Sequence, residues 1–303
     1  MVNAMIGGYR CITPMRTAGS GSARWCIAVR GFERVFLKEF LSPVYPVNTD
    51  TSLGRLQLVR CRQFEIKKQK LYQAASCVIG DTLVPVIDFF RAEGHYYAVS
   101  EAVQEGFITA EKADRLSKQE KEKLLFDLAT CLQRLHSQGI VHADLKQEHV
   151  LLIRQPDGYL TKLIDLDSGF LVNDPPSAEK EMEGDPAYLA PEAFLRMMGA
   201  PAALTPALDV FAFGALIHTI WCGKLPDFDR QKYHYLYEAV LDGGEIELNL
   251  PAKWKRVVRR MLCADPAERP TDAAVTAMFA PEMTPPEKSR SRNGLRQLMK
   301  ETR

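Results

Sequence analysis

The sequence predicts an α+β fold of two lobes, a small β-rich first lobe followed by a larger helical lobe. Alternating β-forming residues dominate roughly the first 100 positions, a pattern typical of half-buried strands. Beyond residue 105 the apolar residues recur at helical spacing. We expect one domain over residues 12–279, with the first lobe at 12–100, a hinge at 101–104 and the second lobe at 105–279.

Two hairpins and one helix are predicted in the first lobe. Each hairpin has two runs of β-forming residues joined by a glycine-containing turn. The helix has its apolar residues near one face. The predicted ranges are 24–30 with 34–40, 84–90 with 95–100, and 56–75 for the helix.

Helices separated by Pro and Gly account for most of the second lobe. The clearest is residues 117–138, whose leucines form one apolar face and which is followed by Gly139 as a C-terminal cap. An apolar hairpin is predicted over 150–153 and 160–164. Further helices are predicted at 192–198, 209–221, 233–241 and 252–262.

Composition excludes several classes of protein. The net charge is +1, which gives no general attraction to nucleic acid or membranes. The seven cysteines are scattered without metal-ligand spacing, as expected for reduced thiols. The apolar run 210–222 is too short to cross a bilayer, and the first 22 residues do not resemble a secretory signal. We expect a cytoplasmic protein.

The last residues, 280–303, differ in composition from the rest of the chain. Three prolines precede a series of lysines and arginines. Two interpretations remain open for this basic tail. It is either a solvated terminus or a segment that docks onto a partner.

The most informative stretch runs from His142 to His149 and is followed, after the apolar hairpin, by Asp165 and Asp167. Phosphoryl transfer requires one carboxylate to accept a hydroxyl proton and another to hold a metal ion at the phosphates. Asp144 and Asp165 have the spacing for these two roles. The pattern therefore indicates a phosphoryl-transfer site.

With their flanking motifs, these residues resemble the eukaryotic-type protein kinase family, in a divergent form that we interpret as a bacterial serine/threonine protein kinase. The resemblance implies the two-lobed protein-kinase-like fold, ATP as phosphoryl donor and Mg²⁺ or Mn²⁺ as metal. Several motifs in family order make it specific. They are the glycine-containing turn 19–26, the strand 35–38, the loop 142–149, the segment 165–169 and the loop 184–192.

The resemblance implies catalytic roles for Asp144 as the base and Lys146 as the residue that neutralises the transferring phosphate. Asp165 corresponds to the primary metal ligand. His149 stands where the family has an Asn oxygen ligand, which favours manganese over magnesium. Asp167 replaces a glycine and is either an additional metal ligand or part of a simple acidic turn.

The nucleotide is expected to lie between the lobes. Lys38 corresponds to the lysine that grips the phosphates and pairs with a helix carboxylate. Glu65 is the only acidic residue of the predicted helix and is its candidate partner by elimination, the alternative being an exposed glutamate. Phe36 replaces a small residue next to the adenine. The other nucleotide-binding candidates are Gly19, Ser20, Gly21, Glu101, Val103 and Leu151.

Two structural anchors complete the resemblance. Asp209 would hold the catalytic loop, and Glu192 would form a buried pair with Arg269, an arrangement that favours a protein substrate. Ala143 replaces the arginine that binds a loop phosphate, so control by phosphorylation of the loop is not expected. The implied function is transfer of the γ-phosphoryl group to Ser or Thr. The alternatives are a nucleotide-binding or scaffolding pseudokinase and, less favoured, a small-molecule kinase.

Overall fold

The computed structural model describes residues 2–18, 21–103, 106, 108–156, 158–177 and 184–280. Within these residues the first lobe is built on an antiparallel sheet with strand order β1-β2-β4-β5-β7-β6, and β3 pairs with β4. Its strands are β1 (Met5–Ile6), β2 (Tyr9–Cys11), β3 (Arg16–Thr17), β4 (Ala23–Arg30), β5 (Glu33–Phe40), β6 (Val86–Ala92) and β7 (His95–Glu101).

Both hairpins predicted for the first lobe are present. Strands β4 and β5 pair around Gly31, which has a φ of +61° that favours glycine. The outer face of the sheet buries Tyr9 and Cys11 of β2 against Leu37 and Val99. The sheet therefore includes residues before position 12, where the domain was predicted to begin.

Helix α1 (Ser52–Ser76) packs across the other face of the sheet. The side chain of Thr51 caps its N terminus by accepting a hydrogen bond from the amide of Gly54 at 3.0 Å. The buried face of α1 contains Cys61, Leu71 and Ala75, as its apolar spacing predicts, and also Lys68. Burying the charge of a lysine costs free energy unless the ammonium group has polar partners. The partner of Lys68 described below lies in the cleft between the two lobes.

The second lobe is helical, as predicted. Ser117 and Glu120 form a reciprocal capping box at the start of α3, and α5 is buried on nearly all sides because it is apolar all round. The helices are α2 (Ala110–Arg115), α3 (Lys118–Ser137), α4 (Pro191–Met197), α5 (Ala207–Cys222), α6 (Leu236–Leu241), α7 (Ala252–Met261) and α8 (Asp272–Phe279).

Two short antiparallel pairings, β9 with β10 and β8 with β11, lie in the described part of this lobe, and the first confirms the predicted apolar hairpin. No helix in the described part of the chain is sufficiently long and apolar to cross a membrane. The strands are β8 (Ile140–Val141), β9 (Val150–Gln155), β10 (Gly158–Leu163) and β11 (Phe170–Leu171).

One predicted helix begins later than expected. The sequence pattern predicts helix from residue 233, but α6 starts at Leu236. The carboxylate of Glu238 accepts hydrogen bonds from the amides of His234 and Tyr235, which fixes the N terminus at that point. Local capping, which periodicity does not report, determines this boundary.

The buried pair predicted for the second lobe is present. The guanidinium of Arg269 donates to Glu192 through Nη1 to Oε1 at 2.6 Å and Nη2 to Oε2 at 2.8 Å. It also donates to the carbonyl groups of Ala207 and Cys263. This bidentate pair fastens the start of α4 to the loop before α8.

His136 forms a second buried link, between α3, α5 and α8. Its Nε2 lies 2.9 Å from Asp209 Oδ2 and its Nδ1 lies 2.8 Å from Asp272 Oδ1. Burial alone would lower the pKa of His136, but hydrogen bonds to the two carboxylates outweigh it and raise the pKa to about 9. His136 is therefore a cation at neutral pH.

The stability of the protein should fall as pH rises from about 6.5 through about 9, because His136 then loses its proton. The raised pKa corresponds to about 3 kcal/mol of folding free energy, present at low pH and lost above it. Denaturant unfolding of the wild type and of His136→Gln across this range measures the effect. Their difference in stability should shrink with pH, and parallel curves would contradict the assignment.

Candidate active site

The loop that carries Asp144 is held in place by a buried carboxylate at the start of α5. Asp209 accepts hydrogen bonds from the backbone amides of His142 at 2.7 Å and Ala143 at 2.8 Å. Ala143 has a φ of +64°, which an L-residue adopts only when its surroundings impose it. Asp209 thus performs the anchoring role that the resemblance implies.

Asp144 and Lys146 lie together at the mouth of the cleft. Lys146 donates from Nζ to Asp144 Oδ2 at 3.0 Å, and the backbone amide of Asp185 donates to Asp144 Oδ1 at the same distance. The carboxylate of Asp185 is 4.0 Å from Lys146 Nζ. The backbone amide of Asp185 therefore holds the loop 184–192 against Asp144.

His149 lies between the two candidate carboxylates. Its Nδ1 is 2.7 Å from the carbonyl oxygen of Asp144, so Nδ1 must carry the proton and donate it. Burial lowers the pKa of His149 despite the nearby carboxylates of Asp165 and Asp144, so the ring is neutral. Its unprotonated Nε2 faces Asp165 Oδ2 at 3.5 Å. Two electron-pair donors that face each other in this way suit a shared cation.

Lys38 crosses the cleft from β5 to two acidic residues. Its Nζ lies 3.0 and 2.9 Å from the carboxylate oxygens of Asp165 and 2.5 Å from Asp167 Oδ2. Burial opposes the charge on Lys38, but the carboxylates of Asp167 and Asp165 outweigh it and raise its pKa. Burial likewise opposes ionisation of Asp165, and the charge and hydrogen bonds of Lys38 outweigh it and lower its pKa. Lys38 and Asp165 therefore remain charged at neutral pH.

Asp165 has the backbone geometry of a functional residue. Its φ is +68°, a left-handed conformation that is uncommon outside glycine. Such conformers cluster at active sites, where the surrounding structure holds them. The conformation turns the Asp165 side chain toward both Lys38 and His149.

The predicted pairing of Lys38 with Glu65 is wrong. The described contacts of Lys38 are with Asp165 and Asp167, whereas Glu65 Oε2 accepts a hydrogen bond from the hydroxyl of Tyr96 at 3.4 Å. Elimination failed because it assumed that the helix must supply the acid.

Helix α1 contributes two other residues that sequence reasoning missed, Lys68 and Tyr72. The Nζ of Lys68 donates to the carbonyl oxygen of Asp167, and the hydroxyl of Tyr72 donates to Asp167 Oδ1 at 3.0 Å. Both residues share the buried face of the helix with Cys61 and Ala75. A lysine on an otherwise apolar helix face was the signal available in the sequence.

The role of Asp167 as an additional metal ligand is also not supported by the contacts. Its Oδ1 accepts from Tyr72 and its Oδ2 lies against Lys38. Across the described ranges, no group of three or more His, Cys, Asp or Glu side chains is placed to hold a metal ion. Asp165 and His149 form a two-residue donor set, which fits an ion whose remaining ligands are nucleotide phosphates and water.

The candidate nucleotide contacts differ in how they are placed. Gly19 and Ser20, like Gln104 of the hinge and the tail 281–303, lie outside the described residues. Gly21 has a φ of +73°, which suits a tight glycine turn. Val103 donates its amide to the carbonyl of Glu101 at 3.1 Å at the end of β7, and Leu151 is buried in β9.

An aromatic pair lines the cleft beside Lys38. Phe36 and Lys38 are two residues apart on β5 and so share one face of the sheet. Trp25, which pairs with Lys38 in the β4–β5 register, stacks on Phe36 with ring centroids 5.2 Å apart. The sequence analysis identified Phe36 alone as the large residue expected next to the adenine. The stacked pair adds a second ring.

Known proteins with similar sequences and structures are protein kinases. A model of the protein kinase domain matches residues 65–281. Protein kinase kin1 of Schizosaccharomyces pombe is 29% identical over 231 residues, 68% of this chain and 25% of that protein. Serine/threonine-protein kinase SIK1 of Rattus norvegicus is 32% identical over 197 residues, 64% of this chain and 24% of that protein. The chain thus spans about a quarter of the length of these relatives.

The fold agrees with these sequence relatives. The kinase domain of Mycobacterium tuberculosis PknI superposes with a TM-score of 0.60 at 17% identity, covering 92% of this chain and 98% of that domain. The antiparallel sheet and helical second lobe described above thus have the architecture of a kinase domain. Because the family model covers well over half of the sequence, the chain belongs to the protein kinase family.

Proposed function

We propose that this protein is an ATP-dependent kinase that transfers the γ-phosphoryl group to Ser or Thr hydroxyls of a protein substrate. One observation carries the proposal. His149 joins two carboxylate–lysine units across the cleft, with its Nδ1 2.7 Å from the carbonyl of Asp144 and its Nε2 3.5 Å from Asp165 Oδ2. The residues proposed for the charged roles in phosphoryl transfer therefore form one connected series, in which each residue contacts another.

Asp144 is the proposed base. As the acceptor oxygen forms its bond to the γ-phosphorus and the bond to the ADP oxygen breaks, Asp144 takes the hydroxyl proton. Lys146, 3.0 Å from Asp144, neutralises charge on the phosphoryl group in transit. Oδ1 of Asp144 accepts one hydrogen bond from the amide of Asp185, and its second lone pair remains for the acceptor hydroxyl.

Lys38 and Asp165 are proposed to bind the phosphate end of the nucleotide. A divalent ion held by Asp165 and His149 would neutralise the phosphate oxygens. The imidazole ligand accommodates manganese better than magnesium. Lys38, which is largely buried between Asp165 and Asp167, presents a fixed cation to the phosphates.

The protein substrate is supported by family membership. The matching model is that of the protein kinase domain, and SIK1 is named a serine/threonine-protein kinase. The buried Glu192–Arg269 pair holds the loop 184–192 beside Asp144. That loop is where an extended substrate segment would be presented to the base.

ATP with a divalent ion should raise the melting temperature by several degrees, because a ligand that binds only the folded state stabilises it. Lys38→Met and Asp165→Asn should each remove most of this shift, and the surface variant Glu122→Gln should keep it. Thermal-shift titration with magnesium and with manganese is the measurement. Unchanged melting at millimolar ATP with both ions would refute the proposal. Binding without transfer would favour the pseudokinase alternative.

A further inference from the structure

We propose that Asp167, rather than a carboxylate from helix α1, positions Lys38 for the nucleotide phosphates, and that α1 acts by holding Asp167 through Lys68 and Tyr72. This inference rests on the proposed function, because it concerns how the same nucleotide site is assembled. It assigns Asp167, Lys68 and Tyr72 as positioning residues. None of them touches the reacting atoms.

Asp167 is fixed from three sides. Its Oδ2 lies 2.5 Å from Lys38 Nζ, its Oδ1 accepts the hydroxyl of Tyr72 at 3.0 Å, and its carbonyl oxygen accepts from Lys68. Only 15% of its side chain is exposed. With its carboxylate held by Tyr72 and Lys38 and its carbonyl oxygen held by Lys68, Asp167 has little freedom to turn elsewhere.

Lys68 is itself restrained by aromatic rings. Its Nζ lies 5.5 Å from the ring centroid of Phe40, 5.6 Å from that of Phe64 and 5.9 Å from that of Tyr72. Cation–π contacts of this kind stabilise a partly desolvated ammonium group. The aromatic cluster therefore fixes the donor that holds the backbone at Asp167.

Asp165 cannot perform the same role in the loaded site. It contacts Lys38 with both oxygens, but it is also the candidate metal ligand opposite His149. When Asp165 coordinates the ion, Asp167 is the carboxylate that remains beside Lys38. Glu65, the only acidic residue of α1, is directed to Tyr96.

This arrangement couples the two lobes through Asp167. Tyr72 and Lys68 belong to the first lobe, whereas Asp167 follows β10 in the second. A shift of α1 therefore moves the counterion of Lys38 together with the segment that carries Asp165. The position of the helix controls nucleotide affinity without any carboxylate of its own.

A double-mutant cycle on ATP affinity tests this inference in the full chain. Asp167→Asn keeps the acceptor for Tyr72 but removes the charge beside Lys38, and it should weaken ATP binding about tenfold, the loss expected for one charge-assisted contact. Lys38→Met should weaken it at least as much. Asp167→Asn should then add little in the Lys38→Met background, because the partner is already absent. Additive losses would overturn the inference.

Two further variants keep the test specific. Glu65→Gln, the matched control on α1, should leave ATP affinity unchanged. Tyr72→Phe should weaken it several-fold in the wild type and little in the Lys38→Met background, which provides a second cycle if Asp167→Asn folds poorly. A loss with Glu65→Gln that equals the loss with Asp167→Asn would contradict the assignment.

The manganese-to-magnesium ratio of ATP affinities separates positioning from metal binding. A positioning residue leaves this ratio unchanged in Asp167→Asn, and a shift of more than a few-fold would identify Asp167 as a metal ligand and overturn the inference. If Lys38→Met has no effect on ATP binding, the proposed function fails. If Lys38→Met weakens binding and Asp167→Asn does not, only the role of Asp167 fails.

Discussion

Replacing Asp144 with Ala is expected to lower the rate of phosphoryl transfer by about 10²–10⁴-fold, the usual contribution of a positioned general base. The affinity for ATP should be nearly unchanged, because Asp144 contacts Lys146 and the amide of Asp185 rather than the groups at Lys38. The loss therefore belongs to the chemical step. Transfer of labelled γ-phosphate to a generic protein substrate, with magnesium and with manganese, measures it.

The matched control is Asp81→Ala, which removes an exposed carboxylate outside the site and should preserve the rate. Thermal-shift titration with ATP checks that Asp144→Ala is folded and still binds nucleotide. A rate within a few-fold of wild type for Asp144→Ala would show that another group accepts the proton. Equal losses in rate and ATP affinity would show that Asp144 supports binding instead.

Arg269→Met is expected to produce the largest loss of stability, about 3–5 kcal/mol, which is typical when one member of a buried ion pair is removed. The change leaves the carboxylate of Glu192 without its bidentate partner. It also removes the hydrogen bonds that Arg269 donates to the carbonyl oxygens of Ala207 and Cys263. Denaturant unfolding, followed by circular dichroism, measures the loss.

Glu192→Gln should cost less, since the guanidinium keeps its carbonyl acceptors and one side-chain oxygen remains. Lys253→Met, which removes an exposed ion pair with Glu122, should change stability little. We therefore predict that the loss of stability decreases in the order Arg269→Met, Glu192→Gln, Lys253→Met. A stability for Arg269→Met close to that of Lys253→Met would contradict it.

Local chemistry made much of the fold predictable. The apolar face of α3 and the glycine turn of the β4–β5 hairpin depend on residues close together in the chain. The start of α6 was missed because the hydrogen bonds from Glu238 to the preceding amides leave no trace in apolar periodicity. Strands β1 and β2 were missed because they are very short and become stable only by pairing, β1 with β2 and β2 with β4.

In the candidate site, too, some features were predictable from nearby residues in the chain and others were not. Asp144, Lys146, His149 and Asp165 were predicted because motif spacing places them on one loop and on the segment after one hairpin. The acidic partners of Lys38 were not predicted. They lie more than 120 residues away in the chain, and the direction of their side chains depends on the local backbone. The left-handed conformation of Asp165 and the donors on α1 decide which oxygens meet Lys38.

The sequence by itself determined the two-lobed architecture and the family and supplied a candidate residue for each charged role, since periodicity, caps and motif spacing are properties of neighbouring residues. Only the tertiary structure decided how those charges are paired. Contacts between Lys38, Asp167, Lys68 and Tyr72 join three segments that are distant in the chain. A buried charge takes whichever partner the packed backbone brings within hydrogen-bonding distance, and linear spacing does not contain that distance.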